Sequence, residues 1–209
     1  MKLILGIAAI ILIAAGAYAS VQLNQPQSIN LQTSFEYPTP QPLAPFSLTD
    51  QRGNSFSNAD LQGKWSLFFI GYTSCPDVCP TTMGKLTSAY AGLNQVEDVQ
   101  VIFLSVDPQR DNIDTLNNYI KFFNPEFMAV TGEHKQLFPI TRSLGFVYAM
   151  VGDGDDYQVD HSASFALVSP QGEKVAIIKP KSHSPGQLPQ IRNSELIHDV
   201  NALIGKYSS

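Results

Sequence analysis

Two cysteines, Cys75 and Cys79, are the only thiols in 209 residues, and they stand four positions apart. A bridge between them would close a tiny loop and remove little chain entropy, so it would not staple a fold. Their presence asks for a chemical reason. They lie in Gly71-Tyr72-Thr73-Ser74-Cys75-Pro76-Asp77-Val78-Cys79-Pro80, between an apolar run and a helical pattern. If residues 75–79 are helical, the two side chains share a face with Cβ atoms ~5–6 Å apart. That spacing lets two thiolates hold one soft metal ion. It is slightly long for a disulfide, which wants ~3.5–4.5 Å between Cβ atoms. Spacing alone therefore points equally to a metal site and to a redox pair.

A third donor would narrow the choice. Two thiolates suit Cu(I), and an added imidazole makes a trigonal set that Cu(II) also accepts. The histidines are His134, His161, His183 and His198. His134 and His198 fall on expected surface helices and His183 in a Ser/Pro loop, where solvated or structural roles are ordinary. His161, in Asp160-His161-Ser162-Ala163-Ser164, comes after the Gly/Asp-rich stretch 152–156 and precedes an expected hairpin strand. Met83 is read as core rather than as a thioether ligand.

The elements that must position these residues are read from periodicity. Phe46–Thr49 and Asn54–Phe56 read as short strands around a turn. Trp65–Ile70 and Val99–Val106 are continuous apolar runs, the mark of strands buried on both faces. Thr81 to about Leu93 is expected to be a helix with Met83, Leu86, Tyr90 and Leu93 on one face. Asp111 is expected to cap a helix over 112–123. Phe127–Val130 and Phe146–Val151 read as strands, and 133–143 as a helix disturbed by Pro139. A hairpin over 164–168 and 174–178 precedes a closing helix over 195–206, capped by Ser194. This is the thioredoxin order of elements: an α/β fold, a mixed sheet flanked by helices. In that fold the junction bearing His161 faces the cysteine loop. The loop itself sits at a strand carboxyl end and a helix N-terminus, both of which favour thiolate.

Upstream, residues 1–23 are an apolar segment behind Lys2, expected to be a membrane anchor or a signal segment. Ala17-Tyr18-Ala19 has the small-x-small form of a cleavage site. Either reading exports the rest of the chain. Residues 24–45, with Pro26, Pro38, Pro40, Pro42 and Pro45, are expected to be an extended linker, and 46–209 the folded domain. The net charge of -5 and the absence of a basic run argue against nucleic acid as a partner.

The cysteine segment closely resembles the copper motif of the Sco/SenC family. Ser105-Val106-Asp107-Pro108-Gln109-Arg110-Asp111 resembles the family's second signature, and Val159-Asp160-His161-Ser162 with Phe165-Ala166-Leu167-Val168 after it resembles its histidine segment. The resemblance implies a thioredoxin-like fold that binds copper through Cys75, Cys79 and His161. It implies assembly of the dinuclear copper A centre of cytochrome c oxidase, with oxidase subunit II as partner and another copper chaperone or a thiol reductant as a further one. Some bacterial members are linked instead to redox defence. The implied location is the bacterial inner membrane facing the periplasm, or the soluble periplasm if the signal is cleaved. Asp107, Arg110 and Asp111 are expected to buttress the loop beside the site, with Asp111 serving rather as a helix cap.

Three readings compete. A copper chaperone, a carrier rather than an enzyme, needs all three ligands. A thiol-disulfide reductase needs Cys75 to attack and Cys79 to resolve, and no histidine. A peroxiredoxin-like enzyme needs Arg110 beside the sulfur.

Overall fold

The structure is a computed structural model and describes residues 13–18, 20, 29–152 and 154–208. The expected anchor or signal segment lies largely outside the described residues. Among the described residues, no helix is long and apolar enough to cross a membrane.

The compact unit runs from Leu31 to Ser209. Its strands are β1 (Ser34–Pro42), β2 (Ser47–Asp50), β3 (Ser55–Ser57), β4 (Trp65–Gly71), β5 (Val99–Ser105), β6 (Met128–Thr131), β7 (Tyr148–Val151), β8 (Gln158–His161), β9 (Phe165–Val168) and β10 (Glu173–Ile178). Its helices are α1 (Val78–Leu93), α2 (Ile113–Phe123), α3 (His134–Leu144) and α4 (Asn193–Tyr207). Eight strands form one mixed sheet in the order β1-β10-β9-β4-β5-β6-β2-β3, and β7 and β8 form a separate two-stranded ribbon.

Every residue of β4 is buried, as its continuous apolar sequence requires. It pairs parallel with β5, Trp65 to Val99 through Gly71 to Ser105, and antiparallel with β9. The parallel β4-α1-β5 and β5-α2-β6 units are connected by helices, as parallel pairing demands. On α1, Cys79, Met83, Leu86, Ala89 and Leu93 face inward, and this helix packs against α4. On α3, Pro139 is accommodated between the buried Leu137 and Ile140, and Gly145 ends the helix at φ +85°.

Four expectations require correction. Residues 34–42 are not linker: they form the edge strand β1, paired antiparallel with β10 from Ser34–Ile178 to Pro42–Glu173 across a bulge. An edge is where prolines are tolerated, because one side of the strand makes no ladder bonds. The unit is fastened there by Asp199, which accepts from the backbone N–H groups of Gln32, Thr33 and Ser34 at 2.8 Å each. Helix α1 starts at Val78, so Cys79 is in its first turn and Cys75 precedes it. The cap of α2 is Asn112, whose side chain accepts from Thr115 N–H, and not Asp111. The closing helix is entered through Arg192 rather than Ser194.

Candidate metal and thiol site

Strand β4 delivers the chain to Gly71 at its carboxyl end, and next comes a turn closed by Cys75 N–H donating to Tyr72 O (3.3 Å). Cys75 sits half-buried on this turn, while Cys79 is fully buried in the first turn of α1. Both thiols are free. The first turn of a helix offers N–H groups without intrahelical partners, and they are used here. Burial opposes ionisation of Cys75, but the N–H groups of Asp77, Cys79 and Val78 and the Cys79 thiol outweigh it, and the Cys75 pKa falls below the ordinary thiol value. Burial pushes the Cys79 thiol the other way, well above that value, and the neighbouring Cys75 adds to the rise. The two sulfurs are thus unequal: one half-buried and poised to ionise, one fully buried and protonated.

Gly71 is required by this packing. A Cβ there would lie 2.7 Å from Cys79 Sγ and 2.9 Å from the Phe103 ring. The buried sulfur occupies the space that any other residue's side chain would fill.

His161 arrives from the other side, at the end of β8. Its Nε2 stands 3.3 Å from Cys79 Sγ, and its Nδ1 lies 3.0 Å from the carbonyl of Ser162. A carbonyl only accepts, so the proton is on Nδ1 and the Nε2 lone pair faces the sulfurs. The rings of Phe69 and Tyr72 meet the imidazole edge to face, at 6.3 and 6.1 Å between centroids. Burial lowers the His161 pKa and keeps the ring neutral, the form that binds metal. The donor atoms of Cys75, Cys79 and His161 all fall within 4.8 Å of one another, and they are the group that could hold one metal ion among the described residues. Two sulfurs and one imidazole nitrogen are a donor set suited to copper in either oxidation state. A cleft of about 300 Å³ opens onto the site between Tyr72, Cys75, Asp77, Gln158 and His161.

The other histidines are elsewhere engaged. His134 Nδ1 is 3.0 Å from Tyr148 Oη, His183 Nε2 is 3.5 Å from Glu195 Oε2, and His198 Nδ1 is 3.0 Å from Asp199 Oδ1. Met83 is wholly buried in the core. Asp77 is exposed at the start of α1 and makes no side-chain cap bond.

Asp111, expected from the sequence to be a cap, has a different role. Its buried carboxylate accepts from Thr73 N–H (2.9 Å), Thr73 Oγ1 (2.6 Å) and Ser105 Oγ (2.6 Å), tying the cysteine loop to the end of β5. Asp107 is fully buried and pairs with Arg110 at 2.5 Å. Arg110 also donates to the carbonyl of Tyr157 (3.0 Å) and stacks over the Tyr157 ring at 3.9 Å. Its hydrogen bonds run to Asp107 and to the Tyr157 carbonyl, and none runs to a sulfur. Tyr157 and Gln158 are not singled out by their sequence context, and Tyr72 enters only as part of the cysteine segment.

A family model described as SCO1/SenC matches residues 36–194. The chain belongs to the SCO1/SenC family. A SCO2-like protein of Rickettsia prowazekii is 41% identical over 132 residues, 61% of this chain and 64% of that protein. The match thus spans a little under two thirds of that relative's length. Among solved structures, apo Sco1 from Thermus thermophilus superposes with a TM-score of 0.69 at 30% identity, covering 85% of this chain and 99% of that one. Arabidopsis thaliana ScoI, solved with copper bound, gives 0.65 at 29% identity, covering 79% and 97%. The thioredoxin-like fold read from the order of elements is therefore the fold of this chain, as the SCO1/SenC resemblance of its motifs implied.

Proposed function

We propose that this SCO1/SenC chain carries copper, held by Cys75 Sγ, Cys79 Sγ and His161 Nε2, and hands it to the copper A centre of cytochrome c oxidase subunit II on the exported side of a membrane. The observation that carries the reading is the convergence of these three donor atoms within 4.8 Å. Copper bound to a related plant protein supports it. So does the chemistry: ligand exchange from a two-sulfur site to another thiol-rich site needs no net redox change, and the open cleft leaves Cys75 reachable.

The experiment is Cu(II) binding by the reduced full chain, read by visible absorption and EPR. A thiolate-to-copper charge-transfer band, abolished by Cys75→Ala or Cys79→Ala and altered by His161→Ala, is the expected result. A His161→Ala chain with undiminished Cu(II) affinity would overturn the ligand set.

One observation favours a second reading, reduction of the target's cysteines. Cys75 has the lowered pKa of an attacking thiol, and Cys79 beside it can resolve a mixed disulfide. In that reaction Cys75 thiolate displaces one target sulfur as thiolate. Cys79 then displaces the second, leaving a Cys75–Cys79 disulfide and a target dithiol. Turnover on a disulfide substrate without metal, unaffected by His161→Ala, would favour this reading over copper transfer.

A further inference from the structure

The three donors come from two separate pieces of structure. The sulfurs belong to the β4–α1 junction, while the imidazole belongs to the β7–β8 ribbon, which among the described residues forms no ladder with the main sheet. Something must fix the gap between them. The segment 107–111 touches both. At one end, Asp111 holds the cysteine loop through Thr73 N–H and Thr73 Oγ1. At the other end, Asp107 accepts from the Tyr157 hydroxyl, and Arg110 donates to the Tyr157 carbonyl. Tyr157 immediately precedes β8, whose last residue is His161. The next residue, Gln158, accepts from Tyr72 Oη at 3.0 Å, a second tie from the ribbon to the cysteine loop.

The segment itself is stiff. Arg110 N–H and Asp111 N–H both donate to Asp107 O, at 3.2 and 2.9 Å, closing a tight turn. Arg110 Nε is bound to Asp107 Oδ2, and its guanidinium lies over the Tyr157 ring. Asp107 and Asp111 are both buried. A rigid turn with one carboxylate committed to each side works as a spacer.

We propose that the turn 107–111 is the brace that sets the distance between His161 and the two sulfurs, with Tyr157 as its grip on the histidine ribbon. Asp107, Arg110 and Tyr157 are positioning residues: they touch no donor atom and act through His161. This deepens the copper reading and rests on it for its metal-binding consequence. Its structural consequence stands apart from copper.

Tyr157→Phe tests it, because the ring stays under Arg110 and only the hydroxyl bonded to Asp107 is lost. In the copper-free full chain, amide hydrogen exchange is expected to quicken across β7 and β8 and to stay unchanged in α1. Cu(II) affinity is expected to fall by up to about 10-fold, the low end of what losing a direct outer partner of a metal ligand costs, because Tyr157 acts on His161 through the ribbon. In a His161→Ala background the same substitution is expected to cause no further loss, since its effect runs through the imidazole. Arg110→Lys, which loses the planar fork, is expected to act in the same direction. Unchanged exchange in the ribbon overturns the brace. Equal loss of Cu(II) affinity in both backgrounds also overturns it, because the effect would then run through the sulfurs. If the unsubstituted chain binds no Cu(II), the copper reading fails, and the exchange measurement alone decides the brace.

Discussion

Cys79 Sγ and His161 Nε2 stand 3.3 Å apart although 82 positions separate them in the chain. Neither partner is free to turn away. Cys79 is fixed by helix α1 and walled by Gly71 and Phe103, and the His161 ring is held through Nδ1 by the Ser162 carbonyl. Side chains held in this way need little reordering to act as ligands, which lowers the cost of binding.

The inequality of the two thiols is open to direct measurement. Cys75 is expected to react with iodoacetamide first, with a rate that rises with pH through a midpoint below the ordinary thiol value, because hydrogen bonds to its sulfur favour the thiolate. Cys79 is expected to stay unmodified in the folded chain. Peptide mass spectrometry after timed quenching reports both. Equal labelling of the two sulfurs would show that the burial of Cys79 does not protect it.

Copper binding is expected to release protons. Near neutral pH His161 is already neutral and Cys75 is the more ionised thiol, so the proton that binding must displace is chiefly that of Cys79, whose pKa is raised. Affinity is therefore expected to rise with pH across the neutral range, with release of about one proton per ion or more. Calorimetry in two buffers of different ionisation enthalpy measures that number. No buffer dependence would mean that Cys79 is not a ligand.

Gly71→Ala is expected to destabilise the chain by about 1–3 kcal/mol, the usual range for forced overpacking of a core. The new methyl would meet Cys79 Sγ and Phe103, both buried. Denaturant unfolding gives the stability, and the Cu(II) absorption band is expected to shift in the same variant because the sulfur must move. A variant as stable as the parent would show that the loop relaxes freely.

Asp199→Ala is expected to cost about 3 kcal/mol, since three backbone N–H groups at 2.8 Å lose their acceptor. Burial of Asp199 raises its pKa, but hydrogen bonds from His198 and from the Gln32 and Thr33 N–H groups outweigh this, and the net shift is downward. A depressed carboxylate contributes stability above its unfolded value of about 3.8, and that contribution is lost as pH falls through the folded value. The gap between parent and variant should therefore narrow only in strong acid. Thermal melts at pH 7 and pH 3 compare the two. A gap independent of pH would assign the loss to packing.

The central strands and the three donors were legible because each carries a local signal. Trp65–Ile70 and Val99–Val106 are uninterrupted apolar runs, and Cys75, Cys79 and His161 lie in motifs that resemble a family in register. The parts that were not legible depend on distant partners. Strand β1 reads as linker because its prolines are acceptable only at an edge, and edge position is a property of the sheet. Asp111 precedes a helix, so capping is the local expectation, yet Thr73 and Ser105 compete for it and win. Strand β8 has no apolar alternation beyond the buried Val159, and its partner β7 is largely exposed. Tyr157 carries no signal at all until Asp107 is placed beside it.

The edges of the main sheet bear on how copies of this protein meet. One edge is β1, where Pro38, Pro40 and Pro42 offer no N–H donor and a bulge lies between Glu36 and Gln41. The other is β3, only three residues long. Neither is a good template for adding a strand from another molecule. Self-association by sheet extension is therefore disfavoured at both ends, at β1 by the same prolines that disguise it as linker and at β3 by its short length.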